Sequence, residues 1–524
     1  MADEGGYGGV LDGGVSRARF LKLAGLGAGL SLFPGSLISA NVAGAQAVGG
    51  PDILDPEGPY PIAAWWPPPP VPNTNPGNLN PVTETARRYA ELAGANFNTV
   101  IGGNGVGNDR ANNLALDACE RPDVDVRLVL ADSRLSNAIK GTTTPAQTAQ
   151  AEGQEEPEGV LQALTEQDSQ QDLQAQAAAD RDTITQRLRE LNTQFGQRRG
   201  LAGIFLYDEP GRTLFGDLRF ARQQVGEIFG PDELPYVNVW PSYASPKNAL
   251  EAQSYTDYLE RYMNETRYES AVAPPFLSFD HYPLLADEKT TPDFFYNHAV
   301  IRNFARRFDV PSWAFVQSMG FNGGNVGLAV RREPDKAEIF WQINVALAYG
   351  AKGIQYFTYW TPEDDEKVNF GRALITRQGV RTPLYDYATE ANGFLQRVGG
   401  VLRPLDSEFV THFGEKRLPR GAKSFKGYPS YVKAASGDAA ILGLFRGSES
   451  SMERHLLVVN RSPNRASRTR LTISGTVKGV DWFDPSIEAP EDPFVRQSLA
   501  GDPPRFLTVS LGAGRARLYR LRTA

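Results

Sequence analysis

The stretch of sequence that decides the fold reads Gly203-Ile204-Phe205-Leu206-Tyr207 and runs directly into Asp208-Glu209-Pro210-Gly211. A short run of aliphatic and aromatic residues that ends in acids and a Pro-Gly turn is typical of a buried strand. Seven more runs of about this length follow the same pattern along the chain: Ile62–Trp66, Phe97–Gly102, Val126–Ala131, Tyr236–Trp240, Phe276–Phe279, Ser312–Gln317 and Gly353–Tyr359.

Stretches with helical spacing lie between these runs. Thr83–Ala93 begins with a capping threonine and closes at Gly94, and Lys336–Tyr349 carries apolar residues at intervals of three and four. Alternating strands and helices predict a parallel sheet, and eight strands predict a closed (β/α)8 TIM barrel, here within residues 55–398. The alternative is an open doubly wound sheet with a miscounted strand, but no Gly-x-Gly-x-x-Gly follows the first run to support it.

Two further segments differ in composition from the barrel. Residues 141–180 are rich in Gln, Ala, Glu and Thr, which predicts a partly helical or disordered low-complexity insertion. Residues 405–524 predict a small antiparallel β-sandwich, because strand-like runs follow one another there without long helices. The predicted strands are Tyr431–Ala435, Ala440–Phe445, His455–Asn460, Arg468–Ile473, Phe506–Leu511 and Ala516–Leu521.

Residues 1–47 have the features of an export signal. Ser16-Arg17-Ala18-Arg19-Phe20-Leu21-Lys22 precedes an apolar stretch from Leu23 to Ile38, and Ala45-Gln46-Ala47 fits a cleavage site. The basic run resembles the twin-arginine signal, although Ala18 interrupts the arginine pair. The alternative is a membrane-spanning helix, which Pro34 and the glycines of the segment disfavour. We therefore expect an exported protein that is extracellular, cell-wall associated or periplasmic, with no membrane span once the signal is removed.

Composition excludes several classes of protein. The 524 residues are 41% hydrophobic and 22% charged, which is ordinary for a globular protein. A net charge of -7 argues against a broad nucleic-acid-binding face, and a single cysteine excludes an internal disulfide or a cysteine-rich metal site. Neither a cofactor nor a metal is predicted, and the sequence leaves the oligomeric state open.

The candidate catalytic residues lie at the ends of two predicted strands. Loops at the carboxyl ends of barrel strands converge on one mouth, where barrel active sites lie. Asp208 and Glu209 end the fourth strand, and Asp280, His281 and Tyr282 end the sixth. Adjacent acids at the end of an apolar strand are costly unless they are paired, hydrogen-bonded or used in chemistry. A helix cap or an ion pair with Arg212 is the structural alternative.

Aromatic and amide side chains are expected at other strand ends. Aromatic planes stack on the C–H faces of sugar rings, and amides and carboxylates bind hydroxyl groups. The pattern therefore predicts a carbohydrate site. Its candidate binding residues are Trp65 and Trp66 of the first strand, Asn238, Trp240 and the nearby Tyr243 of the fifth, His281 and Tyr282 of the sixth, Gln317 of the seventh, and Tyr359 and Trp360 of the eighth.

The segment from Ala346 to Trp360, which reads ALAYGAKGIQYFTYW, resembles the last helix–strand unit of many bacterial glycoside hydrolases. The resemblance is to the family 42 (β-galactosidase-like) barrels and their relatives, and it covers most of residues 55–524. Tyr207-Asp208-Glu209-Pro210 lies where these enzymes place their acid/base Glu, usually as Asn-Glu. The tail resembles the β-sandwich that often follows such barrels, with Leu456–Asn460 and Gly512–Arg515 as the matching segments.

The resemblance implies a glycoside hydrolase in which Glu209 protonates the leaving oxygen. The large retaining clan keeps its nucleophilic Glu at the end of strand seven, but here that strand ends in Gln317-Ser318. Two other arrangements stay open. Asp208 next to Glu209 resembles hexosaminidases that use the acetamido group of the substrate, and Asp280 paired with a strand-four acid resembles some α-glycosidases.

Three rival functions remain at this point. A non-catalytic carbohydrate-binding protein on a barrel scaffold would explain the missing strand-seven acid. A metal-dependent hydrolase could use Asp208, Asp280 and His281 as ligands, although the other three histidines lie away from the predicted strand ends. A serine hydrolase is disfavoured because no Gly-x-Ser-x-Gly elbow occurs.

Overall fold

The computed structural model describes residues 53–71, 79–103, 105–141, 166–230, 232–267, 274–287, 289–322, 329–364, 368–447, 453–487, 491–502 and 504–523, without the side chains of 166–179. The predicted export signal lies outside these residues. In the described part, we find no helix that is both long enough and apolar enough to span a bilayer.

Ten strands make up the described part of the barrel half. Eight of them are parallel and close into a barrel, in which β9 pairs with both β1 and β7, while β8 and β10 form a separate two-stranded antiparallel sheet. The strands are β1 Ile62–Trp65, β2 Thr99–Ile101, β3 Arg127–Leu130, β4 Leu201–Asp208, β5 Leu234–Val239, β6 Leu277–Phe279, β7 Ser312–Gln317, β8 Phe321–Asn322, β9 Gly353–Phe357 and β10 Asn369–Phe370.

Large aromatic side chains fill the barrel interior. Trp65, Tyr236, Trp313 and Phe315 are all buried there in one cluster. Gly353 makes room for this packing, because a Cβ at that position would lie 2.7 Å from the ring of Trp313. The interior is therefore a packed core, and any site for a substrate must lie above it at the mouth.

A helix follows each barrel strand, and a second one follows β3. The described helices are α1 Pro81–Gly94, α2 Asp109–Cys119, α3 Ser133–Lys140, α4 Glu166–Phe195, α5 Phe215–Ile228, α6 Tyr255–Glu265, α7 Phe294–Arg307, α8 Lys336–Ala348 and α9 Pro383–Leu402. The prediction that Thr83 caps α1 is wrong. Asn80 is the cap, because its side chain accepts from the amides of Val82 and Thr83, and Pro81 suits the first helical position.

The second half of the predicted insertion forms part of α4, and residues 142–165 lie outside the described structure. Arg187 anchors this helix to the barrel through two bonds to Asp132, from Nη2 to Oδ2 at 2.8 Å and from Nε to Oδ1 at 3.1 Å. Both side chains are buried, so the ion pair fixes the helix against β3.

The C-terminal region forms two antiparallel sheets. One has the strand order β11-β13-β14-β19-β16-β17 and the other β12-β15-β18. The strands are β11 Asp406–Phe413, β12 Val432–Gly437, β13 Ala440–Arg446, β14 Arg454–Asn460, β15 Ser467–Ile473, β16 Val477–Phe483, β17 Phe494–Arg496, β18 Arg505–Leu511 and β19 Ala516–Thr523. Side-chain hydrogen bonds join the barrel to this region, from Asn344 to the carbonyl of Gly514 at 2.9 Å and between Tyr349 and His412 at 2.9 Å.

The structure confirms the predicted fold class, a closed (β/α)8 barrel followed by an all-β region. All eight predicted barrel strands form, within a few residues of their expected bounds. The sequence pattern missed three strands of the C-terminal sheets, β11, β16 and β17. In β16, Lys478, Gly479 and Asp481 interrupt the apolar run, and Asp481 is buried among the arginines Arg520 and Arg522.

Candidate active site

The fourth strand ends at Asp208, and Glu209 immediately after it turns the chain. Glu209 has a φ of 51°, a left-handed conformation that is uncommon for a residue with a side chain. Its amide donates to the carbonyl of Asn238 at 2.9 Å, and the next carbonyl, of Pro210, accepts from the Tyr258 hydroxyl at 2.9 Å. The neighbouring elements therefore hold Glu209 in a conformation that it would not adopt alone.

Asn238 on β5 joins the acids of β4 and β6. Its Nδ2 lies 3.1 Å from Oδ1 of Asp208 and 3.3 Å from Oδ1 of Asp280. The two carboxylate oxygens are therefore no more than about 6.4 Å apart, since both contact the same nitrogen. Asp208 and Asp280, which are 72 residues apart in the chain, thus share one site.

Glu209 completes the cluster through a side-chain hydrogen bond with Asp280. Burial raises the pKa of Asp208 to about 6, against a smaller lowering by the bond from Asn238. Burial, and then the charge of Asp208, raise the pKa of Asp280 to about 7. Burial and the charges of both aspartates raise the pKa of Glu209. The acids therefore hold protons at a pH where isolated carboxyls would have lost them.

Solvent reaches one side of the cluster. Asp208 is exposed and Glu209 is half-buried, whereas only 4% of Asp280 is exposed. Asp208 is thus open to solvent, although the protein around it still raises its pKa. A group entering from the mouth would therefore meet Asp208 and Glu209 first.

A chain of buried hydrogen bonds supports Asn238 from below. Tyr236 donates to Oε1 of Gln355 at 2.6 Å, Gln355 donates from Nε2 to the Ser278 hydroxyl at 2.8 Å, and Ser278 donates to Oδ1 of Asn238 at 2.8 Å. All four side chains are at most 3% exposed. With its oxygen engaged by Ser278, the amide of Asn238 presents its nitrogen to the two carboxylates. This support was not predicted, since buried Ser, Gln and Tyr carry no pattern of their own.

Two tyrosines flank the acids. Burial, together with the charges of Asp280 and Glu209, raises the pKa of both Tyr243 and Tyr282. Their hydroxyls therefore stay protonated and can donate hydrogen bonds at the mouth. Tyr243 lies on the loop after β5 and Tyr282 follows Asp280 by two residues, as the strand-end argument predicted for both.

His281 lies next to Asp280 in the chain but is built into the protein. Its Nδ1 is 3.0 Å from Oδ1 of Asn297, its Nε2 is 2.6 Å from the Thr291 hydroxyl, and it is 1% exposed. Burial lowers its pKa to about 4, so the ring is neutral near pH 7. With both nitrogens committed, His281 is a positioning residue and not the ligand that was predicted; its ring contacts that of Tyr243 at 5.0 Å.

Four of the predicted binding residues are buried in the protein. Trp65 is 6% exposed and packs inside the barrel against Phe205 and Phe315. Tyr359 and Trp360 are buried in the outer core, where Tyr359 packs on Phe97. These predictions are wrong because strand residues alternate between the barrel interior and the helix layer, and a strand-end position alone does not choose the mouth.

Gln317, the fourth of these residues, is also fully buried. Its Oε1 accepts from the amide of Leu284 at 2.9 Å, and its Nε2 donates to the carbonyl of Arg332 at 2.7 Å. It therefore ties the loop after β6 to the loop after β7. Trp66 and Trp240 are only half-buried, and their predicted role in binding stays a prediction.

Comparison with known proteins gives the fold a precedent. No family model matches the chain, and no curated protein sequence matches it. Among solved structures, Gan42B, a GH42 β-galactosidase from G. stearothermophilus, aligns with a TM-score of 0.51 and 8% identity, over 84% of this chain and 96% of that one. The chain shares the fold of that enzyme.

Two other β-galactosidase structures are similar. The enzyme from Bacillus circulans sp. alkalophilus aligns with a TM-score of 0.48 and 9% identity, over 86% of this chain and 98% of that one. The enzyme from Marinomonas ef1 aligns with a TM-score of 0.44 and 9% identity over 66% of this chain, which spans 62% of that enzyme's length. At such identities the comparison speaks for the fold, and the roles of individual residues rest on the geometry of the site.

Proposed function

We propose that this chain is a glycoside hydrolase that cleaves O-glycosidic bonds of an oligo- or polysaccharide by carboxylate acid/base catalysis. The observation that carries the proposal is the cluster of Asp208, Glu209 and Asp280 at the carboxyl ends of β4 and β6. Two carboxyl groups on either side of the scissile bond are the usual equipment for this reaction. The family 42 fold supports the proposal by analogy only.

Glu209 is the proton donor in this proposal. A glycosidic oxygen is a poor leaving group and needs a proton as its bond to the anomeric carbon breaks. Burial and two neighbouring carboxylates raise the pKa of Glu209, so it carries that proton near neutral pH. Proton transfer of this kind contributes about 10²–10⁴-fold to the rate. In the free protein the proton faces Asp280; substrate would redirect it to the leaving oxygen.

Asp280 is the better placed of the two aspartates to attack the anomeric carbon. Its carboxyl shares a hydrogen bond with that of Glu209 in the free protein, a separation closer to the about 5–5.5 Å of a retaining pair than to the about 6.5–9.5 Å of an inverting pair. We therefore favour retention. Asp280 would form a covalent bond to the sugar as the leaving group departs with the proton of Glu209. Glu209 would then take a proton from the water that displaces Asp280.

Asp208 is left to stabilise the positive charge that develops on the sugar. It contacts the same amide as Asp280, so it lies on the same side of the site. Its exposure places it towards the ligand, where a carboxylate stabilises an oxocarbenium-like state through charge.

The test is a panel of p-nitrophenyl glycosides and neutral polysaccharides, with Glu209→Gln and Asp280→Asn beside the wild type. We expect both variants to lose turnover by at least about 10²-fold while their folding is retained. Asp182→Asn, at an exposed carboxylate on α4, is the matched control and should keep full activity. Activity of Glu209→Gln on aryl glycosides with good leaving groups, but not on natural glycans, would mark it as the acid. Sugar retention without turnover by the wild type would replace the proposal with a binding protein.

We also propose that the protein is exported, on the strength of the signal-like residues 1–47 alone. Expression of the full chain in a bacterial host, followed by fractionation and N-terminal sequencing, tests this. Mature protein that starts near residue 48 outside the cytoplasm supports export. Full-length protein confined to the cytoplasm refutes it.

A further inference from the structure

Four half-buried aromatic side chains contact one another at the mouth of the barrel. The Phe357 ring is the hub, with ring centroids 4.9 Å from Tyr282, 5.9 Å from Phe321 and 6.5 Å from Phe370. Tyr282 and Phe321 also contact each other at 5.5 Å. We refer to these four residues as the aromatic wall. Each keeps part of its surface open to solvent.

The topology places the aromatic wall above the barrel and not in its core. Phe357 is the last residue of β9, and Tyr282 lies in the loop after β6. Phe321 and Phe370 are directly opposite each other in the small sheet of β8 and β10, so both rings stand on the same face of that sheet. The segments after β7 and β9 thus pair with each other and place two phenyl rings against Phe357.

The aromatic wall begins at the acids. Tyr282 is two residues beyond Asp280, and the charges of Asp280, Glu209 and Asp208 all act on its hydroxyl. The far end of the wall lies at Phe370, whose ring centroid is 6.5 Å from that of Phe357 and whose amide donates to Oδ1 of Asp364 at 2.7 Å. A ligand that reaches Glu209 along this side would therefore lie across Tyr282 and Phe357 first.

We infer that the aromatic wall is the platform on which a neutral pyranose ring of the substrate stacks beside the carboxyl cluster. This inference rests on the proposed function. Phenyl rings offer no hydrogen bonds, so they suit the flat C–H face of a sugar and discriminate against a charged substituent on that face. Asp208, whose pKa of about 6 leaves it ionised at neutral pH, also repels an anionic sugar. The substrate class is therefore a neutral glycan, not a polyuronate or a sulfated one.

Binding is measured by calorimetry on Glu209→Gln, which separates affinity from turnover. The probes are cellohexaose, laminarihexaose, mannohexaose and xylohexaose, with oligogalacturonate as the anionic comparison. For the best neutral probe we expect Phe370→Ala and Phe370→Leu to weaken binding by about 3- to 10-fold, and Phe370→Tyr to restore it. Leucine keeps the apolar bulk of phenylalanine, so weaker binding by Phe370→Leu shows that the flat face of the ring is what binds the sugar.

Phe409→Ala is the control, because Phe409 is an exposed aromatic residue on β11 of the C-terminal region. It should leave the affinity unchanged. If Glu209→Gln binds every neutral probe equally well with and without Phe370→Ala, the aromatic wall is not a subsite. This holds even where the wild type hydrolyses a glycan. Tightest binding to oligogalacturonate, or no binding to any neutral probe, overturns the substrate class. If the wild type hydrolyses none of the probes but Phe370→Ala still weakens their binding, the proposed function is contradicted and the aromatic wall is not.

Discussion

Replacement of Asp280 by asparagine should make the protein more stable at neutral pH while it removes the proposed nucleophile. Asparagine has nearly the same shape and keeps an oxygen that can accept from Asn238, now 3.3 Å from Oδ1 of Asp280. What it removes is a carboxyl whose ionisation is opposed by burial and by the charge of Asp208. Active sites commonly carry such an opposition between stability and function.

The size of the effect follows from the shift in pKa. The pKa of Asp280 rises from 3.8 to about 7 on folding. Each pKa unit corresponds to about 1.4 kcal/mol, so ionising Asp280 in the folded state costs about 4 kcal/mol at neutral pH. Because the folded pKa is raised, the wild type keeps its full stability below pH about 4 and loses it as the pH rises to about 7. A side chain that does not ionise escapes that loss.

Chemical denaturation of wild type and Asp280→Asn at pH about 4 and pH about 8 measures the effect. We expect the two proteins to have similar free energies of unfolding at the lower pH. At the higher pH the variant should be more stable by about 2–4 kcal/mol, the upper value being the full cost of ionisation. Asp182→Asn, an exposed position on α4, should show no such difference. If the variant is destabilised equally at both pH values, ionisation of Asp280 does not cost the folded wild type stability at neutral pH, and the reasoning is refuted.

Four further outcomes follow from the contacts of the site and the barrel. Turnover by the wild type should fall as the pH drops below about 6–7, because a protonated Asp280 cannot attack, and stopped assays across pH measure this limb. Asn238→Ala should move that limb to higher pH, since both aspartates lose a donor; an unmoved limb would remove Asn238 from the site. Gln317→Glu should gain no activity and lose about 2–4 kcal/mol of stability in denaturation, because a carboxylate cannot donate to the Arg332 carbonyl. Gly353→Ala should lower stability by about 1–3 kcal/mol, because its Cβ would lie 2.7 Å from the Trp313 ring.

The sequence allowed the barrel to be predicted because its strands are short, apolar and separated by recognisable helices. The acids of β4 and β6 could be predicted to meet for the same reason, since both follow such a run directly. The binding residues could not be predicted as well. Trp65 and Phe357 end strands, and Trp360 and Tyr282 follow strands closely, but which of them reaches the mouth depends on strand register and on loops that pair across the barrel. Neither is visible in local periodicity.

The position of the third acid also follows from the fold. A residue at the end of β7 would face β4 across the barrel, but that end is occupied by Gln317, whose amide is consumed in joining two loops. Asp280 on β6 lies instead two strands from β4. Neighbouring strands are about 4.8 Å apart, so side chains two strands apart can converge over the strand between them. Asn238 stands at that point on β5 and holds the two carboxylate oxygens to within about 6.4 Å of each other. A barrel that places its acids on β4 and β6 with an amide between them thus builds a close carboxylate pair without an acid on β7.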